Sequence, residues 1–143
     1  MAEDRHVVTL YRYFMWADRM RDAMERLLDQ GSPKLLVTPT GDLLFLYISY
    51  YHSALFIVIE GWQDLHLHDE RIDELLKSDN VDLLRRFRNG TFHFQREYLD
   101  NRIIGLVRTD GVAEWIRFLR DSFAAWFDRF FADVANRYPK GDA

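Results

Sequence analysis

The residues best equipped for chemistry stand together in Arg88-Asn89-Gly90-Thr91-Phe92-His93. An unperturbed histidine titrates near pH 6.5, so His93 can take or give a proton near neutrality. The planar fork of Arg88 can hold a phosphate. Glu97 lies one helical turn past His93 and is placed to orient or charge it. Arg85, Arg86 and Arg96 join Arg88 in raising the local positive potential, which suits a polyanion such as RNA. On a continuous helix Asn89 and His93 share a face, while Arg88 lies about 140° round the axis from His93. Gly90 costs such a helix roughly 1 kcal/mol against alanine, which points to a close backbone approach there. The plainer reading of the same residues is an amphipathic helix with a satisfied histidine and solvated arginines.

Three other groups compete for a role. Ser49, His52, Ser53 and Glu60 form a polar stripe along an otherwise apolar run. A buried Glu60 would need a partner, and Arg88 or a bound ligand is the expected one. Against this, Glu60 beside Gly61 can sit at a wet helix end, with His52 a satisfied core residue. His66-Leu67-His68-Asp69 has metal-ligand residue types, but His66 and His68 point apart on a helix and are merely solvated in a loop. No metal site and no cofactor are expected. Trp115, Phe123, Trp126, Phe127, Phe130 and Phe131 could stack nucleic-acid bases. At helical spacing they read first as core or dimer seam.

The elements that must position these groups are helical. The first periodic stripe runs from about Arg5 to Asp29 and should stop at Gln30-Gly31-Ser32-Pro33. Pro39-Thr40-Gly41-Asp42 opens the second, with Thr40 or Asp42 as cap. The run Leu43 to Ile59 is almost wholly apolar but near the minimum length for a membrane span, and it has serine, tyrosine and histidine at its centre. It is expected to be a central helix covered on all sides, with help from a second subunit, and not a membrane anchor. A polar connection from Gln63 to Asp69 and a short helix from Glu70 to Lys77 follow. One long helix is expected from about Val81 to Asn101, a turn from Gly105 to Gly111, and a last helix from Val112 to Tyr138. The expected fold is therefore all-α: four main helices plus a short one in a single domain over residues 1–143.

Composition agrees. At 143 residues with 48% hydrophobic and 15% aromatic side chains, one domain has ample core. The absence of cysteine excludes a disulfide scaffold and a thiolate zinc site, and a reducing cytoplasm is the expected compartment. The charged start Glu3-Asp4-Arg5-His6 is unlike a secretion signal. A formal charge of −4 is unlike a general nucleic-acid coat, so any contact with RNA must use a local patch or pocket.

Arg88-Asn89-x-x-x-His93 in the late helix of a small all-α domain resembles the Arg-x4–6-His signature of the HEPN superfamily. The resemblance in motif covers about ten residues. It implies a HEPN-like bundle, and for many members a metal-independent ribonuclease of toxin–antitoxin, abortive-infection or CRISPR systems. Other members only bind nucleotides or act as interaction scaffolds. In the ribonucleases two copies of the motif meet across a homodimer. Carried over, His93 is the acid and base, Arg88 holds the scissile phosphate, Asn89 orients it, and a 2′,3′-cyclic phosphate and a 5′-hydroxyl are left on single-stranded RNA. An antitoxin protein is the partner implied for the toxin members. One toxin branch continues His-x-Tyr and is modified at that tyrosine. Here the position is Gln95 and the nearest tyrosine, Tyr98, is out of register, so that regulation is not implied. The opening Leu10-Tyr11-Arg12-Tyr13-Phe14-Met15-Trp16-Ala17-Asp18-Arg19 also resembles the first helix of DinB-like metal-binding bundles, but the paired late histidines of that pattern are missing.

Overall fold

A computed structural model describes residues 2–31 and 38–139. They form six helices and no strand: α1 (Ala2–Asp29), α2 (Pro39–Asp64), α3 (Glu70–Leu75), α4 (Asn80–Phe92), α5 (Asn101–Arg108) and α6 (Val112–Arg137). The all-α bundle follows from the apolar periodicity, with α5 as an element the sequence did not announce.

In α1, Glu3 and Asp4 lie at the positive N-terminal end of the helix dipole and Arg26 at its negative end. The chain leaves it through Gly31 at φ 102, which only glycine adopts easily; Ser32 and Pro33 fall outside the described residues. The cap of α2 is Thr38, not Thr40 or Asp42. Its hydroxyl accepts from the Gly41 N–H at 3.1 Å, and Pro39 takes the first helical position, which moves the cap one residue upstream of the proline. Asp69 caps α3 by accepting from the N–H groups of Arg71 and Ile72.

The core is a single cluster. Leu10 and Phe14 of α1 meet Leu55, Val58, Ile59 and Trp62 of α2; Leu84 and Phe87 enter from α4, and Leu119, Phe123 and Phe127 from α6. The α6 aromatics named as base-stacking candidates are core: Phe123 and Phe127 are fully buried, and Trp126, Phe130 and Phe131 are packed against the cluster. Polar ties fix the helices laterally. Asp18 of α1 accepts from Arg120 of α6 at 2.8 and 2.9 Å and from Arg21 at 2.9 Å. Trp62 donates to Asp73 at 3.1 Å, and Trp115 to the Leu75 carbonyl at 3.0 Å.

Two expectations need correction. First, α2 is long and apolar enough to cross a membrane by length and composition, yet its cover is one-sided. In the C-terminal half Leu55, Phe56, Val58, Ile59 and Trp62 are buried in the core while Glu60, Gln63 and Asp64 are exposed, and towards the N-terminus Leu43, Leu46 and Tyr50 are exposed as well. Second, the single helix expected from Val81 to Asn101 ends at Phe92. His93 is extended at φ −113, ψ 133, the chain reverses through residues 93–100, and α5 begins under an Asp100 cap. The reason is visible at Gly90: a Cβ there would lie 3.1 Å from the Cβ of Arg102 and 3.3 Å from Cγ1 of Ile103, so α5 folds back onto the backbone of α4. Gly105, expected in a turn, is inside α5 instead and faces Leu83.

Candidate functional site

The site is built where α4 crosses α2. His52, Phe56 and Glu60 recur every four residues and so line one face of α2. Phe87 and Arg88 of α4 lie on that face. The Phe87 ring meets the His52 ring edge-on at 5.5 Å, and the Arg88 guanidinium stands 4.9 Å over the Phe56 ring.

Arg88 is held on three sides. Its Nη1 donates to both carboxylate oxygens of Glu60, at 3.3 and 3.4 Å. Its Nε donates to Oδ1 of its neighbour Asn89 at 3.1 Å. Phe56 supports the plane of the guanidinium from below. Among the described residues Nη2 donates no hydrogen bond. With side chains 25% and 44% exposed, the Arg88–Glu60 pair contributes at most about 1 kcal/mol to stability. Its effect is geometric: it fixes where the guanidinium points.

His52 is part-exposed at its surface but otherwise closely enclosed by protein. Burial lowers its pKa to about 4, and the Ile48 carbonyl, 2.6 Å from Nδ1, only partly offsets this. At neutral pH it is therefore an uncharged ring whose Nδ1–H donates to that carbonyl, with the tautomer assigned from this contact. Ser49 and Ser53 on the same helix are buried, and Ser53 Oγ has no hydrogen-bond partner among the described residues.

His93 does not share a helical face with Asn89, because α4 has ended. Its backbone is nonetheless tied down. Its N–H donates to the Asn89 carbonyl at 3.1 Å, and its own carbonyl accepts from Gln95 Nε2 at 2.8 Å. The imidazole is exposed, and no hydrogen bond joins it to Arg88 or Asn89 within the chain. Glu97 is exposed in the 93–100 segment, so it is not one helical turn from His93 as expected. Arg85 is engaged with Asp82 of its own helix. Arg86 and Arg96 are exposed and form no ion pair among the described residues. The structure thus assembles Arg88, Asn89 and Glu60, sets His52 against Phe87 about two turns along α2 from Glu60, and leaves His93, Glu97 and Arg96 on the outside.

Two features were missed in the sequence. Phe56 reads as one more core residue of an apolar run, and only its spacing from Glu60 hints at a shared role. The second feature is an exposed apolar patch around His93. Phe92 is 52% exposed and Phe94 93%, and Tyr98 and Leu99 follow them. Tyr50 meets Phe92 at 5.6 Å, and Phe45 stacks on Tyr98 at 5.5 Å, which joins the patch to the uncovered half of α2. A patch this aromatic is unusual on an isolated surface.

The His66–Asp69 segment serves the fold. His66 takes φ 52 at the end of α2, His68 lies 3.4 Å from Asp73, and Asp69 pairs with Arg129 at 3.0 Å besides capping α3. Among the described residues no group of three histidine, aspartate or glutamate side chains could hold a metal ion. No family model matches the chain, and neither a curated protein nor a solved structure does.

Proposed function

We propose that this chain is a HEPN-like, metal-independent endoribonuclease of a toxin–antitoxin or phage-defence type that cleaves single-stranded RNA as a homodimer. The observation that carries the reading is the state of Arg88: a guanidinium set by Asn89, Glu60 and Phe56, with Nη2 donating no hydrogen bond among the described residues, just before the helix end that presents His93. A pre-oriented fork with a donor to spare is what a phosphodiester oxygen needs, since no rearrangement is required as charge develops on phosphorus. Asn89 then acts as a positioning residue through Arg88.

In the reaction, one imidazole removes the proton of the ribose 2′-OH. The 2′ oxygen attacks phosphorus, the bond to the 5′ oxygen breaks, and that oxygen takes a proton from an imidazolium. A 2′,3′-cyclic phosphate and a 5′-hydroxyl result. Within one chain no hydrogen bond joins the His93 ring to the Arg88 clamp, and the reading draws the second imidazole from a second copy. The aromatic patch beside His93 is the face that would pair, because it flanks the histidine in the chain and is exposed among the described residues.

The test is cleavage of single-stranded RNA by wild type, His93→Ala and Arg88→Ala. Wild type should yield cyclic-phosphate ends, and each variant should lose activity by at least a hundredfold, the usual weight of a general acid–base or an oxyanion donor. A wild type that cleaves nothing, or variants that match it, overturns the reading. The separation of His93 from Arg88 favours one alternative, a non-catalytic nucleotide-binding or protein-interaction module on the same scaffold. It would bind nucleotide through Arg88 without turnover.

A further inference from the structure

The outward face of α1 is distinct from the Arg88 site. Arg5, Arg12, Arg19 and Arg26 recur every seventh residue. Seven residues make nearly two full helical turns, so the four fall within an arc of about 60° and span about 31 Å of helix length. They run along the centre line of the solvent face, opposite the buried Val7, Leu10, Phe14 and Ala17. All four are exposed, and none forms a salt bridge among the described residues. The helix has acids, but Asp18, Asp22 and Glu25 stand to one side, where they engage Arg21. Arg137 of α6 pairs with Asp4 at 3.5 Å, and Arg120 with Asp18. In a protein of net charge −4, this is a row of exposed cations that form no ion pair among the described residues.

Apolar side chains flank the row. Val8 is 50% exposed, Met15 37% and Trp16 51%. The Arg12 guanidinium lies 5.0 Å over the Trp16 ring and 5.3 Å over the Tyr13 ring. Tyr13 in turn lines a groove of about 760 Å³ between α1 and α2, and the opposite wall of that groove includes Glu60, the residue that holds Arg88.

We propose that this face of α1 is a docking track for the backbone of single-stranded RNA, with Trp16 as a stacking platform for a base. Charge complementarity selects a polyanion, and the linear arrangement selects a flexible strand. Cations about 10 Å apart along a straight line can each meet a phosphate of a strand that follows the helix, whereas a duplex curves away after a short contact. An anionic membrane fits less well. The apolar face of α1 is already in the core, and its outward centre line is arginine, not a side chain that inserts into lipid. All four cations being arginine suits phosphate, which their forks hold in two-point fashion. The track deepens the ribonuclease reading in one respect only, the nature of the strand. It requires binding and not cleavage.

The experiment separates the two. A fluorescein-labelled 2′-O-methyl oligouridine cannot be cleaved, and its binding to the intact protein is followed by anisotropy over a salt series. Wild type should bind with a slope of log K against log salt of about −2.8, from about 0.7 per phosphate neutralised. Arg12→Gln/Arg19→Gln should halve that slope, and Trp16→Ala should weaken binding about tenfold. These positions are exposed, so circular dichroism should show the fold retained. Equal slopes for wild type and the double variant overturn the track, as does a wild type that binds phosphatidylserine vesicles but not the oligonucleotide. If Arg88→Ala abolishes binding and the α1 variants leave it untouched, the track falls and the Arg88 site stands. If wild type binds through α1 but cleaves no RNA, the cleavage reading falls and the track stands.

Discussion

Phe94 offers the sharpest test of whether the chain works as two copies. It is 93% exposed, two residues past the end of α4 and next to His93. Fully burying such a side chain is worth about 1.5–3 kcal/mol. A two-fold interface contains it twice, so Phe94→Asp should weaken dimerisation by about 3–6 kcal/mol, before any penalty for burying the carboxylate. At 1.4 kcal/mol per decade this is roughly a hundredfold to ten-thousandfold in the dimer Kd. The folded monomer should barely register the change, because exposed substitutions typically shift stability by less than about 0.5 kcal/mol. Sedimentation velocity over a concentration series measures the first quantity and thermal melting of the diluted protein the second. Cleavage should fall with the dimer population. A wild type that stays monomeric at the highest concentration, or a Phe94→Asp variant that dimerises as well as wild type, refutes the argument.

Further tests address the scaffold. The folded protein keeps His52 neutral down to about pH 4, whereas the unfolded chain accepts a proton near 6.5. Its contribution is therefore complete above pH 6.5 and is lost as pH falls from 6.5 to 4, by at most about 3 kcal/mol; urea titrations at several pH values should show this slope in wild type and not in His52→Phe. For Asp18 burial opposes ionisation, but hydrogen bonds from Arg120 and Arg21 prevail and hold its carboxyl below the ordinary 3.8. Its stabilisation is present above that value and is lost only as pH falls through the still lower folded pKa. Asp18→Asn should cost about 1–3 kcal/mol at pH 7, a buried-pair cost discounted for the pair's partial exposure. Gly90→Val should destabilise by about 1–3 kcal/mol in a thermal melt, since its Cβ meets Arg102 and Ile103 where α5 lies on α4. A variant as stable as wild type would mean that α5 yields there.

The apolar rhythm of α1, α2 and α6 is legible because each presents a long stripe to one core. The Glu60–Arg88 contact was expected on the premise of a buried carboxylate, whereas Glu60 is 44% exposed near the end of α2, as the wet-helix-end reading had it, and meets Arg88 there as a part-exposed pair. What periodicity could not supply is the break at His93. Phe92, Phe94 and Tyr98 keep an apolar rhythm through a segment that is not helical, since their rings serve a surface and not a core. Gly90 did signal a close approach, but not that the approaching element was the chain itself, returning as α5. The cap of α2 was misplaced by one side of a proline. The basic face of α1 is spread over three heptads, and each arginine alone reads as solvation.

The break at His93 bears directly on the proposed chemistry. Were α4 continuous, the imidazole would sit on the Asn89 face of a rigid cylinder, within reach of its own clamp or of none. As an extended residue it leaves the helix axis, yet its N–H is fixed on Asn89 and its carbonyl on Gln95, which in turn accepts from Arg102 of α5 at 3.5 Å. The backbone is therefore anchored to the same residue that orients Arg88, while the ring is exposed beside an aromatic surface and has no hydrogen-bond partner among the described residues. One two-fold operation that buries Phe92, Phe94 and Tyr98 would remove an exposed apolar patch and bring two imidazoles near one axis. The hydrophobic effect would then assemble the acid and the base that in-line cleavage requires, and a monomer would retain only the phosphate clamp.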